Sequence, residues 1–507
     1  MLPDPSATTA LNRQQRIDLA KQTLRKECLA QPMKSASLIA IKGWTYLAML
    51  GDQEGKAQLM EVVRSLDDHA QNANWHMIVY LEDQTANEYV KQIMADPDRT
   101  MDIRVRATRS VLGGRYSPGA PVQVPEGIEA HFRQLVVQSG FNLMPLRELN
   151  GMATELSRPF LEELVEAGAF HDRDSPHSQG IEHSRHFSRM KRMAGQPGFV
   201  CVVQVALEGL GRLGNPESIS LLRQAAQVSR APGIRLSAVQ ALNAVGDTGF
   251  ARDLMRDRAA HDPDIAYRIA YAHDLAETGE RAFVHLLHEA TRHPVRQVRS
   301  LSYEYLCSLG DDSFVEPATR DFEANGEPAG YWKILHADQA RMGFALQGND
   351  GFMSDVLQLY LCTLVQSDRS PHSVFMGLNG ILSGSNDQVR AVLPSALNVL
   401  EGPPVTMPES EPPDKDALVA FETQLCKLLV LLRTGDAQVR QKAIDYIENL
   451  YAINAEGGQT ALFYARCARN PDLASFFARV ILESPNAGDR LTAATWLLAN
   501  EAGVLPE

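Results

Sequence analysis

The 507-residue chain carries a net charge of −13, with 44% hydrophobic and 22% charged residues. This balance supplies enough apolar side chain for a large buried core and excludes a disordered polymer. The acid excess argues against nucleic acid or an anionic membrane as the main partner, because phosphate binding draws its affinity from clustered Lys and Arg.

The opening stretch, Met1 to Thr9, lacks the cationic and apolar regions of a signal peptide, and no apolar run is long enough to span a bilayer. The chain therefore reads as soluble and cytoplasmic, with no membrane partner. Its Ser/Thr/Pro-bearing start would also suit a bacterial chain exported into a host cell. The first helical signal, Ser37 to Leu50, ends at Gly51-Asp52, and Ile103-Arg104-x-x-Ala107 begins another. Residues 114–126, with three prolines, read as an irregular connection. Helical periodicity returns over Gly127 to Val137, Leu146 to Leu156 and Pro159 to Gly168.

Residues 171–198 form a polar, His- and Arg-rich connection. Within it His171, His177, His183 and His186 stand among Asp172, Asp174 and Glu182, a composition with metal-ligand chemistry. Arg185, Arg189, Lys191 and Arg192 oppose a cation there, so the segment reads as a solvated loop or short basic helix and as the best candidate for a regulatory or docking insertion, with His183, Arg185 and Arg189 as candidate contacts. No metal or cofactor is expected of the chain.

From Phe199 a period emerges. Helices end at Gly214, Gly246, Gly279 and Gly310, separated by 32, 33 and 31 residues, and a further glycine falls at Gly348. Three arginines, Arg235, Arg268 and Arg299, each precede a terminal glycine by eleven residues and open the same apolar frame, as in Ile234-Arg235-x-x-Ala238-Val239-x-x-Leu242. After Gly214, Asn215 can cap the next helix, Pro216 fits its first turn and Glu217 meets its positive end. The expected unit is two helices joined by a glycine turn, with prolines separating successive units.

The arginines align once per unit. They are candidates for an anionic-partner groove, or for pairing with turn acids of an adjacent unit such as Asp247, Asp264 or Asp311; the second reading follows from their recurrence with the repeat. Tyr331 and Trp332, after the loop at Asn325 to Pro328, are candidate interaction anchors. Trp44 and Trp496 lie in apolar helices and read as core. His285, His288 and His293 lack the spacing of a zinc-protease helix and read as helix surface. The six cysteines include no CxxC pair and read as buried free thiols. No phosphate loop, nucleophile elbow or dinucleotide fingerprint occurs.

Residues 401–416 form a proline-rich acidic loop, after which Val439-Arg440-x-x-Ala443-Ile444 restores the frame and the final helix pair is expected to cap the array. The organisation expected is a helical region with degenerate repeats over 1–170, the polar connection 171–198, central repeats over 199–400, the loop 401–416, and C-terminal repeats with a cap over 417–507.

The Val/Ile-Arg helix start, the Gly-Asp/Asn turn and the second helix resemble the HEAT-like repeats found in phycobilin lyases and bacterial scaffold proteins. The resemblance is densest over Phe199 to Gln347. It implies an all-α fold, a right-handed α-α superhelix of stacked helix pairs in the HEAT/armadillo manner, whose concave face binds another macromolecule. The function it implies is a non-enzymatic scaffold or regulator, and the acidic balance suggests a protein partner with a basic patch. Alternatives are a solenoid enzyme of bilin-lyase or DNA-glycosylase type, and a secreted effector that engages host proteins.

Overall fold

The glycines that end the repeat helices do so by turning left-handed. Gly214, Gly246, Gly279 and Gly310 have φ of 64°, 99°, 92° and 71°, and Gly51, in the amino-terminal copy of the turn, has 82°. At Gly246 no atom would obstruct a Cβ, so the demand for glycine there is purely conformational.

The computed structural model describes residues 11–29, 38–65, 84–111, 127–152, 154–170, 186–194, 196–325, 333–335, 353–366, 371–402, 414–453, 461–462, 465–466 and 470–502. Among them every regular element is a helix and none is a strand. The chain divides into two units, one of Glu88–Leu309 and one of Met1–Asn87 with Gly310–Glu507.

The chain opens with α1 (Arg13–Leu29), α2 (Leu38–Met49) and α3 (Gln53–Ser65), which belong to the discontinuous unit. The continuous unit begins within α4 (Gln84–Ala95) and proceeds through α5 (Met101–Val111), α6 (Ile128–Gln138), α7 (Leu143–Met152), α8 (Arg158–Ala169) and α9 (Phe187–Met193). The regular repeats follow as pairs: α10 (Pro197–Leu213) with α11 (Ile219–Val228), α12 (Pro232–Val245) with α13 (Thr248–His261), α14 (Ile265–Glu277) with α15 (Val284–Ala290), ending on α16 (Arg296–Ser308).

In this unit α12 and α14 pack on their own second helices, and each of α10, α12 and α14 packs on the next first helix. Gly211 makes one such approach possible, since a Cβ there would meet the Ala241 backbone at 3.1 Å. The apolar stripes merge into one core running from Val105 to Leu275, with Leu210, Leu222, Leu242 and Leu275 fully buried. Each such leucine stabilises the unit by about 2 kcal/mol through removal from water.

The cap sites follow from the sequence. Asn215 accepts from the Glu217 amide, Asp264 from Ala266 and Asp311 from Ser313. The two histidines His285 and His288 lie exposed on α15, as their spacing requires.

The discontinuous unit resumes with α17 (Val315–Asn325), α18 (Asp355–Val365), α19 (Pro371–Ile381), α20 (Lys415–Thr434), α21 (Ala437–Ile453), α22 (Ala474–Glu483) and α23 (Ala487–Glu501). Its last pair, expected to cap the array, is itself covered: α1 packs on both α22 and α23, and α2 packs on α23. Trp44 and Trp496 are core residues, each 3% exposed, and Trp496 stacks on Phe477 with ring centroids 4.2 Å apart.

The thiols need one correction. Cys28, Cys307 and Cys426 are buried, Cys362 is half-buried, but Cys201 is exposed on α10 because it falls on the polar side of that helix. Burial, reinforced by Glu27, pushes the Cys28 thiol up to about 12. Cys467 lies outside the described residues.

Candidate functional site

The repeat arginines turn back on the chain that precedes them. Arg235 donates through Nη1 to the carbonyls of Ser229 and Arg230 at 3.1 and 3.2 Å. Arg299 donates to those of His293 and Pro294 at 2.8 and 3.1 Å, and Arg268 donates through Nε to Ala259 at 3.0 Å. In the other unit Arg440 does the same to Gly435 at 2.7 Å. Each guanidinium thus ties the end of one helix pair to the start of the next, satisfying carbonyls that a helix terminus leaves open.

Two of these arginines also meet an acid, neither of them one the sequence suggested. Arg235 pairs with Asp262 at 3.5 Å, and Arg440 with Asp472 at 3.1 Å. Asp247 instead receives a two-pronged bond from Arg223 at 2.6 and 2.8 Å. Arg256 grips Glu280 in the same way, with both bonds at 2.7 Å. Arg223 and Arg256 form a second ladder, which the sequence reading missed although both they and their acids recur 33 residues apart. Arg490 was missed as well: it bonds the Ser484 carbonyl at 2.7 Å, and Arg490-x-x-Ala493-Ala494-x-x-Leu497 carries the repeat frame.

Of the other candidates, Arg189 is exposed on α9, its guanidinium carbon 5.8 Å from the Phe141 ring centroid. His183, Arg185, Tyr331 and Trp332 lie outside the described residues. A cleft of about 610 Å³ opens between α6 and α8, where Arg133, Gln138, Phe160, Glu163 and His186 meet.

A polar strip of the Glu88–Leu309 unit runs across its first helices. Glu208, Gln240, His273 and Glu304, each six residues before the glycine that ends its helix, occupy equivalent places on α10, α12, α14 and α16. Hydrogen bonds cross the helices: Gln240 donates to Asp274 at 3.0 Å, and the His273 Nε2 lies 2.7 Å from the Ser308 hydroxyl. His273 is buried and stacks on Tyr305 at 4.3 Å. Glu277, exposed one turn beyond His273, approaches its Nε2 to 3.5 Å. Burial first, then the charges of Asp274, Glu304 and Glu277, push the Tyr305 phenol well above its ordinary range. The strip thus carries several acids, of which Glu208 is paired with Arg212 in its own helix, while Asp274 and His273 are tied to the neighbouring repeats.

Such paired helices stacked by a recurring turn, with repeat-to-repeat ladders and no strand among the described residues, define a helical-repeat protein. Residues 202–264, from within α10 to the turn after α13, match the family model for HEAT repeats. That stretch is HEAT-like, and the described residues as a whole are built of helices, in keeping with a HEAT-type helical repeat. No curated protein matches it. Among the described residues no helix is long and apolar enough to cross a membrane.

Proposed function

We propose that the chain is a non-enzymatic scaffold or regulator that binds a protein partner carrying a basic patch. The observation that carries this reading is the set of carboxylates Glu208 on α10, Asp274 and Glu277 on α14 and Glu304 on α16, with Glu208 ion-paired to Arg212 of its own helix. Asp274 is tied to Gln240 of α12, and His273 beside it to Ser308 of α16. Preset charges of one sign accelerate encounter with a complementary surface and hold its register. The same charges repel a phosphate backbone, which disfavours a glycosylase-like use of this face. Arg189 and the neighbouring segment with His183 and Arg185, with Tyr331 and Trp332, are proposed as secondary contacts. In the same reading Arg235, Arg268 and Arg299 set the stacking that presents the strip.

The test compares affinity capture by the wild-type chain with capture by a Glu208→Lys/Glu277→Lys variant, both residues being exposed. A partner with a basic surface should be recovered by the wild type, in a salt-dependent manner, and lost with the variant. Identical recoveries from the two chains would sink the assignment of this face.

A further inference from the structure

The His273 ring has a hydrogen-bond arrangement that is incomplete without a cation. The Ser308 hydroxyl lies 2.7 Å from the Tyr305 carbonyl, to which it donates its one proton. Its oxygen, 2.7 Å from the His273 Nε2, must then accept from that nitrogen. The neutral ring consequently carries its proton on Nε2 and presents a lone pair at Nδ1. Facing that lone pair, 3.3 Å away, is the Asp274 Oδ1, which is also only an acceptor. A proton or a metal ion between the two would make this contact favourable.

We propose that His273, Asp274 and Glu277 bind a divalent transition metal, with zinc the reference ion. The three residues offer ligand atoms all within 4.8 Å of one another. Tetrahedral zinc with ligands at about 2.1 Å separates neighbouring ligand atoms by about 3.4 Å. The 3.3 Å between Nδ1 and Asp274 already matches this; the Glu277 oxygen lies 3.5 Å from Nε2, and its side chain, 54% exposed, has to swing to the Nδ1 side to join them.

The surroundings are those a metal-binding imidazole needs. Its second ring nitrogen is engaged by Ser308, which fixes the tautomer, and Tyr305 stacks on the ring and fixes its plane. The second Asp274 oxygen accepts from Gln240, leaving Oδ1 turned toward the ring. One imidazole nitrogen and two carboxylates suit a borderline metal such as zinc, and water completes the shell. The metal site stands independently of the partner assignment. If both hold, a bound dication neutralises the centre of the acidic strip and weakens its attraction for a basic surface.

The experiment is zinc titration of the full chain by calorimetry, with the His273 ring nitrogens followed by NMR. Asp274→Asn, Glu277→Gln and Gln240→Ala serve as variants, and circular dichroism verifies that each is folded. The wild type should bind one equivalent that shifts the His273 Nδ1 resonance. Asp274→Asn and Glu277→Gln should each weaken that equivalent at least about tenfold, and Gln240→Ala about tenfold as an outer partner. Zinc affinity unchanged in both carboxylate variants would place binding elsewhere, for example on the histidines of residues 171–186, and overturn the site. A wild-type chain showing no saturable binding would mean that a proton alone fills the gap, and would overturn it equally. Neither outcome bears on capture of a partner by the strip.

Discussion

Arg16 and Glu501, 485 positions apart in the chain, form a two-pronged ion pair in which Nε lies 2.9 and 2.8 Å from the two carboxylate oxygens. Arg13 adds a bond from Nε to the Glu501 carbonyl at 2.8 Å, and Arg490 reaches Glu27 at 2.8 Å. The helix that begins the described chain thus occupies the place a further repeat would take beside α23. The polar clamps border an apolar seam that includes Ala20, Leu24 and Leu498, each fully buried.

Arg16→Ala is expected to destabilise the chain by about 1–3 kcal/mol, since it leaves the largely buried Glu501 carboxylate without its charged donor. Arg16→Lys should fall between, because an ammonium cannot reproduce the fork. Urea unfolding reads both, and a midpoint unaffected by Arg16→Ala would show that the clamp contributes nothing.

The repeat arginines differ in what they hold, and their substitution should reflect it. Arg235 serves two carbonyls and the buried Asp262, whereas Arg268 contributes a bond from Nε to one carbonyl. Arg235→Ala should therefore cost about 2 kcal/mol and Arg268→Ala about 1 kcal/mol, with Arg235→Lys recovering only part of the loss. Thermal unfolding of the three variants gives the order; equal losses would contradict it.

The second ladder predicts an acid-sensitive component of stability. The hydrogen bond from Arg223, then its charge, holds the Asp247 carboxyl below its ordinary 3.8, and Arg256 does the same to Glu280 below 4.5. A carboxyl lowered in the folded state stabilises it fully above the ordinary value, and that contribution disappears as the pH falls through the folded value. Wild-type stability should decline on acidification below about pH 4.5, and Arg223→Ala/Arg256→Ala should flatten that decline while leaving less stability near neutrality. Parallel stability–pH curves for the two proteins would remove the ladder from this role.

Thiol labelling distinguishes the cysteines. Cys201 should react with a maleimide in the native chain, whereas Cys28, Cys307 and Cys426 should react only on unfolding, burial keeping the reagent away and pushing the native Cys28 thiol up to about 12. Cys201→Ser should abolish the corresponding peptide adduct in native-state mass spectrometry. Native labelling at Cys28 at the rate of Cys201 would contradict the burial described.

Much of the fold was readable because it is specified locally. Gly214, Gly246, Gly279 and Gly310 announce left-handed turns, and Asn215 caps the helix that follows it, through interactions spanning a few residues. The stripe Ile234, Ala238, Val239 and Leu242 is buried as its helical spacing requires. The site was less readable. Arg223 and Asp247 both stand in the sequence at the repeat period, but which guanidinium reaches which acid depends on the angle at which successive pairs stack. His273 drew no notice because its partner Ser308 is 35 residues away.

The sequence by itself determined the helices, their turns and their period, since backbone propensity and apolar spacing act over one or two helical turns. Tertiary structure decided which charges meet: the pairing of Arg235 with Asp262, the gathering of Asp274, Ser308 and Tyr305 around one imidazole, and the seating of α1 on α23. Those contacts join residues from tens to hundreds of positions apart, and a difference of a few ångströms in packing selects one partner over another. Short-range periodicity carries no record of that choice.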